Sequence, residues 1–153
     1  EGIKVIGSFN SEDLFEKDGQ EVSVLSQTGR GYYVLGILGI GQEPTNHALH
    51  DIAKLKEKLD KWGRPMVLLF TSEAEKKKFE AQKSEFGSLP EKTIFGIDRN
   101  GIIQKEIVRE MKLRNANQLP IFIIADTFNR VVFISQGYTI GLGEQLVKTG
   151  SKL

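Results

Sequence analysis

An α/β fold with a central mixed sheet flanked by helices is what this sequence predicts, and two stretches predict it. The near-continuous apolar run Tyr32–Ile40 breaks at the polar turn Gln42-Glu43-Pro44-Thr45 into an amphipathic helical pattern, after which Pro65–Phe70 is apolar again. A buried strand, a helix and a second buried strand joined by short turns make a right-handed βαβ unit, hence a parallel pair. Near the other end, Ile121–Asp126 and Val131–Ile134 flank Thr127-Phe128-Asn129-Arg130, a turn short enough for an antiparallel hairpin.

Taken in order, Ile3–Ile6 and Glu21–Leu25 are short β-prone segments, and Asp18-Gly19 is a turn signal set too far from the first for a tight hairpin. Phe9–Lys17 has no period and reads as loop with one helical turn, and Gln27–Gly31 is a break before the apolar strand. The first long helix opens at Pro44, tolerated there because a first-turn N–H is not needed, and runs to Trp62 before Gly63. Ala48, Leu49, Ile52, Leu55, Leu59 and Trp62 share its apolar face, and Glu43, His47, His50, Asp51 and Lys54 the opposite one. Ser72 with Glu75 reads as a capping box for a charged helix to Ser84, anchored by Phe79. Lys92–Ile97 is a strand, and Asp98-Arg99-Asn100-Gly101 a turn capping a helix striped by Ile103, Ile107 and Met111. After the hairpin, Gly137 ends the sheet and Leu142, Leu146 and Val147 mark a last helix. Without repeats, linkers or low-complexity tracts, residues 1–153 read as one domain, with 1–31 a β extension and 32–153 the core.

Composition narrows the function. A net charge of +1, from 21 basic and 20 acidic residues, supplies no global field for nucleic acid or an anionic membrane. Lys76-Lys77-Lys78 sits between Glu75 and Glu80, a solvated helix face rather than a phosphate patch. The longest apolar run is too short to span a bilayer. Cysteine is absent, which removes disulfides, thiolate nucleophiles and thiolate metal sites together. The chain opens at Glu1 rather than Met, as expected of an excised or processed segment.

The element order, with Leu119-Pro120 just before the final hairpin, resembles the thioredoxin fold in the elaborated bacterial form found in exported thiol–disulfide proteins. Leu119–Asp126 followed by Asn129–Val132 looks like that family's proline-then-strand signature, whose proline is cis and faces the active-site turn. Gly41-Gln42-Glu43-Pro44-Thr45 looks like its Trp-Cys-x-Pro-Cys, so Gln42 and Thr45 stand where the cysteines belong. The stretches Tyr32–His50 and Gly137–Gly143 also resemble a cysteine-free thioredoxin-like domain that ends larger exported bacterial proteins, some with a transglutaminase-like domain upstream. The resemblance implies an exported, periplasmic or cell-surface location and a polypeptide or neighbouring domain as partner. It also implies a shallow peptide groove lined by Gln42, Glu43, Pro44, Thr45, Leu119 and Pro120.

The family reaction needs a low-pKa thiolate and a second sulfur, and neither an amide nor a threonine hydroxyl supplies them. A redox-inactive binding or architectural module is therefore the leading expectation, with no cofactor and no metal. Thr45 as nucleophile lacks a base, since His47 points to another side of the helix, and a capping role is the simpler reading. Glu43, His47 and Asp51, four apart, with His50 beside them, have metal-ligand chemistry but sit on a face expected to be solvated. An enzyme with a non-thiol site there is the alternative, and a purely structural spacer a third. Gly36-x-x-Gly39-x-Gly41 has the wrong order of spacings for a dinucleotide loop and reads as close helix packing over the sheet; Gly141-Leu142-Gly143 reads as a turn. Asp126, with no second acid near it, reads as a turn initiator.

Overall fold

The computed structural model describes residues 3–153. One sheet of eight strands runs in the order β1-β8-β7-β4-β5-β6-β2-β3. Its centre is β4 (Tyr32–Leu38), paired in parallel with β5 (Met66–Phe70) and antiparallel with β7 (Ile121–Asp126). Beyond β5 lies β6 (Thr93–Ile97), again parallel; beyond β7 lies β8 (Arg130–Gln136), antiparallel across the short turn. Both expected pairings are present, and the sheet is mixed.

Alternation along β4 sorts the core into two layers. Val34 and Leu38 face one way, against Ala48, Leu49 and Ile52 of α2 (Glu43–Lys54) and Leu142 and Leu146 of α6 (Leu142–Gly150). That layer also takes Leu59 of α3 (Lys56–Trp62) and Phe79 of α4 (Glu73–Gln82). Tyr33, Leu35 and Ile37 face the other way, onto Ile103 and Ile107 of α5 (Ile102–Glu110), with Met111 at the margin. The helix expected over Pro44–Trp62 is two helices. Leu55 leaves helical geometry, its N–H bonding to Ile52 in a tightened last turn. Gly36 sits inside β4 for a reason other than helix packing: a Cβ there would stand 2.5 Å from the Phe122 ring and 3.0 Å from Leu68, both on neighbouring strands.

The N-terminal extension departs most from expectation. Ile3–Ile6 forms no strand; β1 is Gly7–Ser8, against Val131 and Arg130 of β8. The aperiodic stretch contains β2 (Leu14–Lys17), with only Phe15 buried, too short for alternation to show. Asp18 and Gly19, at φ 52° and 83°, then close a tight two-residue hairpin to β3 (Gln20–Ser23). The alternating Glu21–Leu25 is strand only to Ser23, whose hydroxyl accepts from the Ser26 N–H and starts the short helix α1 (Val24–Thr28).

Hydrogen bonds fasten this extension to the core. Ser11 lies buried with its hydroxyl 2.8 Å from the Tyr33 hydroxyl and 3.1 Å from the Asp126 carbonyl, and Glu106 of α5 accepts from the Asn10 N–H at 2.8 Å. Asp13 lies near the Glu106 carboxylate, and its Oδ2 is buried with no hydrogen-bond partner. Burial, then the neighbouring Glu106 carboxyl and the Asp98 charge, push the Asp13 carboxyl up to about 7, against a lowering by Arg109. The folded chain thus holds a proton that the unfolded chain releases near the ordinary carboxylate value. Stability from this group is complete below that value and is lost as pH rises through about 7. Urea midpoints measured from about pH 5.5 to about pH 8.5 fall with pH in the wild type, and Asp13→Asn flattens that decline.

Candidate functional site

The turn after β4 and the bend before β7 meet because the two strands pair. Ile37 lies opposite Ile121, so the next pair in the antiparallel register places Leu38 beside Pro120. The Leu119–Pro120 peptide bond is cis, and Pro120 C=O accepts from the Gly137 N–H at 2.8 Å. The Gln136 side chain braces the preceding loop, donating to the carbonyls of Asn115 at 2.6 Å and Gln118 at 3.1 Å.

The turn itself is closed by its own residues. Gln42 N–H bonds to Gly39 C=O at 3.1 Å, and Gly41 carries the φ of 88° that this turn requires. Gln42 is the N-cap of α2, with Pro44 in its first turn, and its carboxamide folds back over Gly39. Ile40 N–H donates to Glu75 Oε1 at 2.8 Å. Ser72 caps α4 through the Glu75 N–H, but the reciprocal half of the expected capping box is missing because the Glu75 carboxylate is spent on this turn.

Thr45 does not cap the helix. It lies within α2, 0% exposed, and its hydroxyl accepts from the Gly39 N–H at 3.0 Å, tying strand end to helix start. A fully enclosed side chain cannot line an open groove, which corrects that expectation for Thr45. Gln42 and Glu43 are exposed and Pro44 half-buried, while Leu119 and Pro120 are buried and offer mainly backbone. Leu119 is the exception to the pairing around it: its N–H and C=O have no hydrogen-bond partner among the described residues.

The polar stripe on α2 is not one solvated face. Asp51 Oδ2 accepts from the Gly143 N–H at 2.7 Å, and a Cβ at Gly143 would meet the Asp51 carbonyl at 2.8 Å, so α6 packs directly on it. The Gly141–Gly143 turn is thus also a helix contact. The His47 ring lies 4.6 Å from Tyr138 and the His50 ring 5.2 Å from Phe86. Glu43, His47 and Asp51 do not converge, and no three such side chains gather to hold a metal ion among the described residues. Asp126 is 2% exposed and fully engaged: Oδ1 accepts from the N–H groups of Phe128 and Arg130, and Oδ2 from the Arg130 guanidinium. It holds the hairpin turn.

Tyr138 and Ile140 are the neighbours that sequence reading passed over. They are 55% and 76% exposed in the loop after β8, and Tyr138 reaches the first turns of α2 through His47. Apolar side chains between Gly137 and Gly141 were their one signal.

Two substitutions test these roles. Thr45→Val, similar in shape, leaves the Gly39 N–H unpaired in the core and is expected to cost about 1–3 kcal/mol in urea unfolding, with Thr45→Ser close to wild type. Asp126→Ala strips three donors of their acceptor and is expected to cost at least about 2 kcal/mol, whereas truncating the exposed Phe128 changes stability by at most about 0.5 kcal/mol.

No family model matches the chain, and no curated protein does. Solved structures do. A Sco-family lipoprotein from Bacillus anthracis is similar with a TM-score of 0.70 at 14% identity, over 98% of this chain and 97% of that one. BsSco, of the Sco family of cytochrome c oxidase assembly proteins, gives 0.69 at 15% identity, over 98% and 95%. A putative thiol:disulfide interchange protein DsbE from Chlorobium tepidum gives 0.68 at 14% identity, over 97% and 96%. At such identities the likeness is one of fold. The fold is thioredoxin-like, in the arrangement used by redox proteins, and this chain carries it without a cysteine.

Proposed function

We propose that this protein is a redox-inactive thioredoxin-fold module that binds an extended polypeptide. The partner is another protein or a neighbouring domain of a larger exported bacterial protein. The observation that carries the reading is the unpaired N–H and C=O of Leu119 beside a turn that lacks sulfur. A peptide laid antiparallel to Leu119 would complete those two bonds as an added strand does. Gln42, Glu43 and Pro44 would border it on the α2 side, with Leu119 and Pro120 beneath and Thr45 as frame behind the turn. Export, and the link to a transglutaminase-like domain, rest on sequence resemblance; the lipoprotein and DsbE neighbours are in keeping with the first.

Amide-resolved NMR with capped, extended valine–lysine peptides tests the groove. Shifts are expected at Leu119 and Gln42, with affinity reduced by about tenfold in a Gln42→Ala, Leu119→Pro double variant or with an N-methylated peptide. Unchanged affinity in both would reject the groove. Separately, the wild type is expected to be inert in disulfide reduction, whereas Gln42→Cys with Thr45→Cys is expected to form an internal disulfide by mass spectrometry and to gain reductase activity, because the first cysteine then sits at a helix N-terminus.

A further inference from the structure

We propose a second polypeptide-docking surface at the opposite end of the sheet, where the outer edge of β6 and an aromatic cavity together take an extended segment with an apolar side chain next to a carboxylate. This goes beyond the groove at Leu119 and shares no residue with it.

Three observations converge there. The first is an open strand edge. β2 meets β6 at a single pair, Glu16 with Ile97, and the hairpin then turns away at Asp18-Gly19. On the β5 side, Lys92 C=O accepts from the Met66 N–H and Asp98 N–H donates to Phe70 C=O, so the even-numbered residues of β6 face β5. Odd-numbered residues face outward. Thr93 N–H is taken by Pro90 C=O, and Phe95, the next outward residue before Ile97, has no β2 residue paired with it. Backbone groups in that state are satisfied by water or by another strand.

The second is a cavity of about 510 Å³ on the side-chain face of the same two residues, Thr93 and Phe95. Phe79, Leu89 and Pro90 complete its apolar wall. Phe79 and Phe95 stand 5.2 Å apart with rings tilted by 41°, and Phe70 and Phe86 back them at 5.9 and 5.8 Å, so the wall is rigid. Beside an open edge, a pocket of this kind receives one side chain of an added strand, as in other strand-addition complexes.

The third is charge. Lys56 at the rim is already paired with Asp60 at 2.5 Å and lies 3.9 Å from Glu91. Lys83, exposed at the rim, has no carboxylate in ion-pair range among the described residues. The hydroxyls of Ser84 and Ser88, also on the rim, make no hydrogen bond within the described chain. Donors and one unpaired cation beside an aromatic wall favour a segment carrying an acidic residue next to a large apolar one.

The test uses the whole chain and a capped peptide with one phenylalanine between glutamates, read by fluorescence anisotropy and by amide NMR. Binding with shifts at Phe95 and Thr93 is expected. Lysine-flanked and N-methylated versions, and the variants Lys83→Glu and Leu89→Asp, should each weaken it by about tenfold. Thermal melts of both variants matching the wild type separate lost docking from lost folding. Equal binding of the N-methylated peptide, or no effect of Lys83→Glu, would overturn the proposal. So would a concentration-dependent dimer that blocks the peptide, since a second copy would then own the edge. The Gln42→Ala, Leu119→Pro variant should leave this binding unchanged, so either surface can fail without the other.

Discussion

The pairing of β4 with β5 on one side and β7 on the other is the constraint on which the rest of the structure depends. Val34, Leu35, Ile37 and Leu38 are wholly buried, so the strand satisfies its backbone only through its two neighbours and its side chains only through helices on both faces. Register in such a strand cannot slip, because a one-residue shift would exchange the two core layers. The meeting of the Gly39–Thr45 turn with the Leu119–Pro120 bend follows from that register.

What the turn has become is also a matter of hydrogen bonds. The N–H groups of Gly39, Ile40 and Gln42 are consumed by Thr45, Glu75 and Gly39. Thr45 serves there as an internal brace between strand end and helix start. Three donors of the turn are thereby closed, while the N–H groups of Gly41 and Glu43 make no hydrogen bond among the described residues.

The same logic extends to the edges of the sheet. An eight-stranded sheet has two long flanks to protect, and here short strands do so: β1 covers two residues of β8 and β2 touches β6 once. Short, partial cover limits self-association while leaving backbone available.

The sequence by itself determined the α/β class, the parallel β4–β5 pair, the final hairpin, the docking stripes of α2 and α5 and the absence of thiol chemistry, because burial period and composition are local properties. Tertiary structure decided the rest. Phe15 is the one buried residue of β2, so no pattern announced that strand. The Ser23 hydroxyl ended β3 early, and Leu55 divided the long helix, through bonds that propensity does not register. That Thr45 faces inward, that Asp51 supports α6 rather than a metal, that Leu119 keeps unpaired backbone and that β2 leaves Phe95 without a paired residue are all facts about which distant groups arrive beside them. Such encounters are set by packing across the sheet, and residues far apart in the chain carry no mark of them.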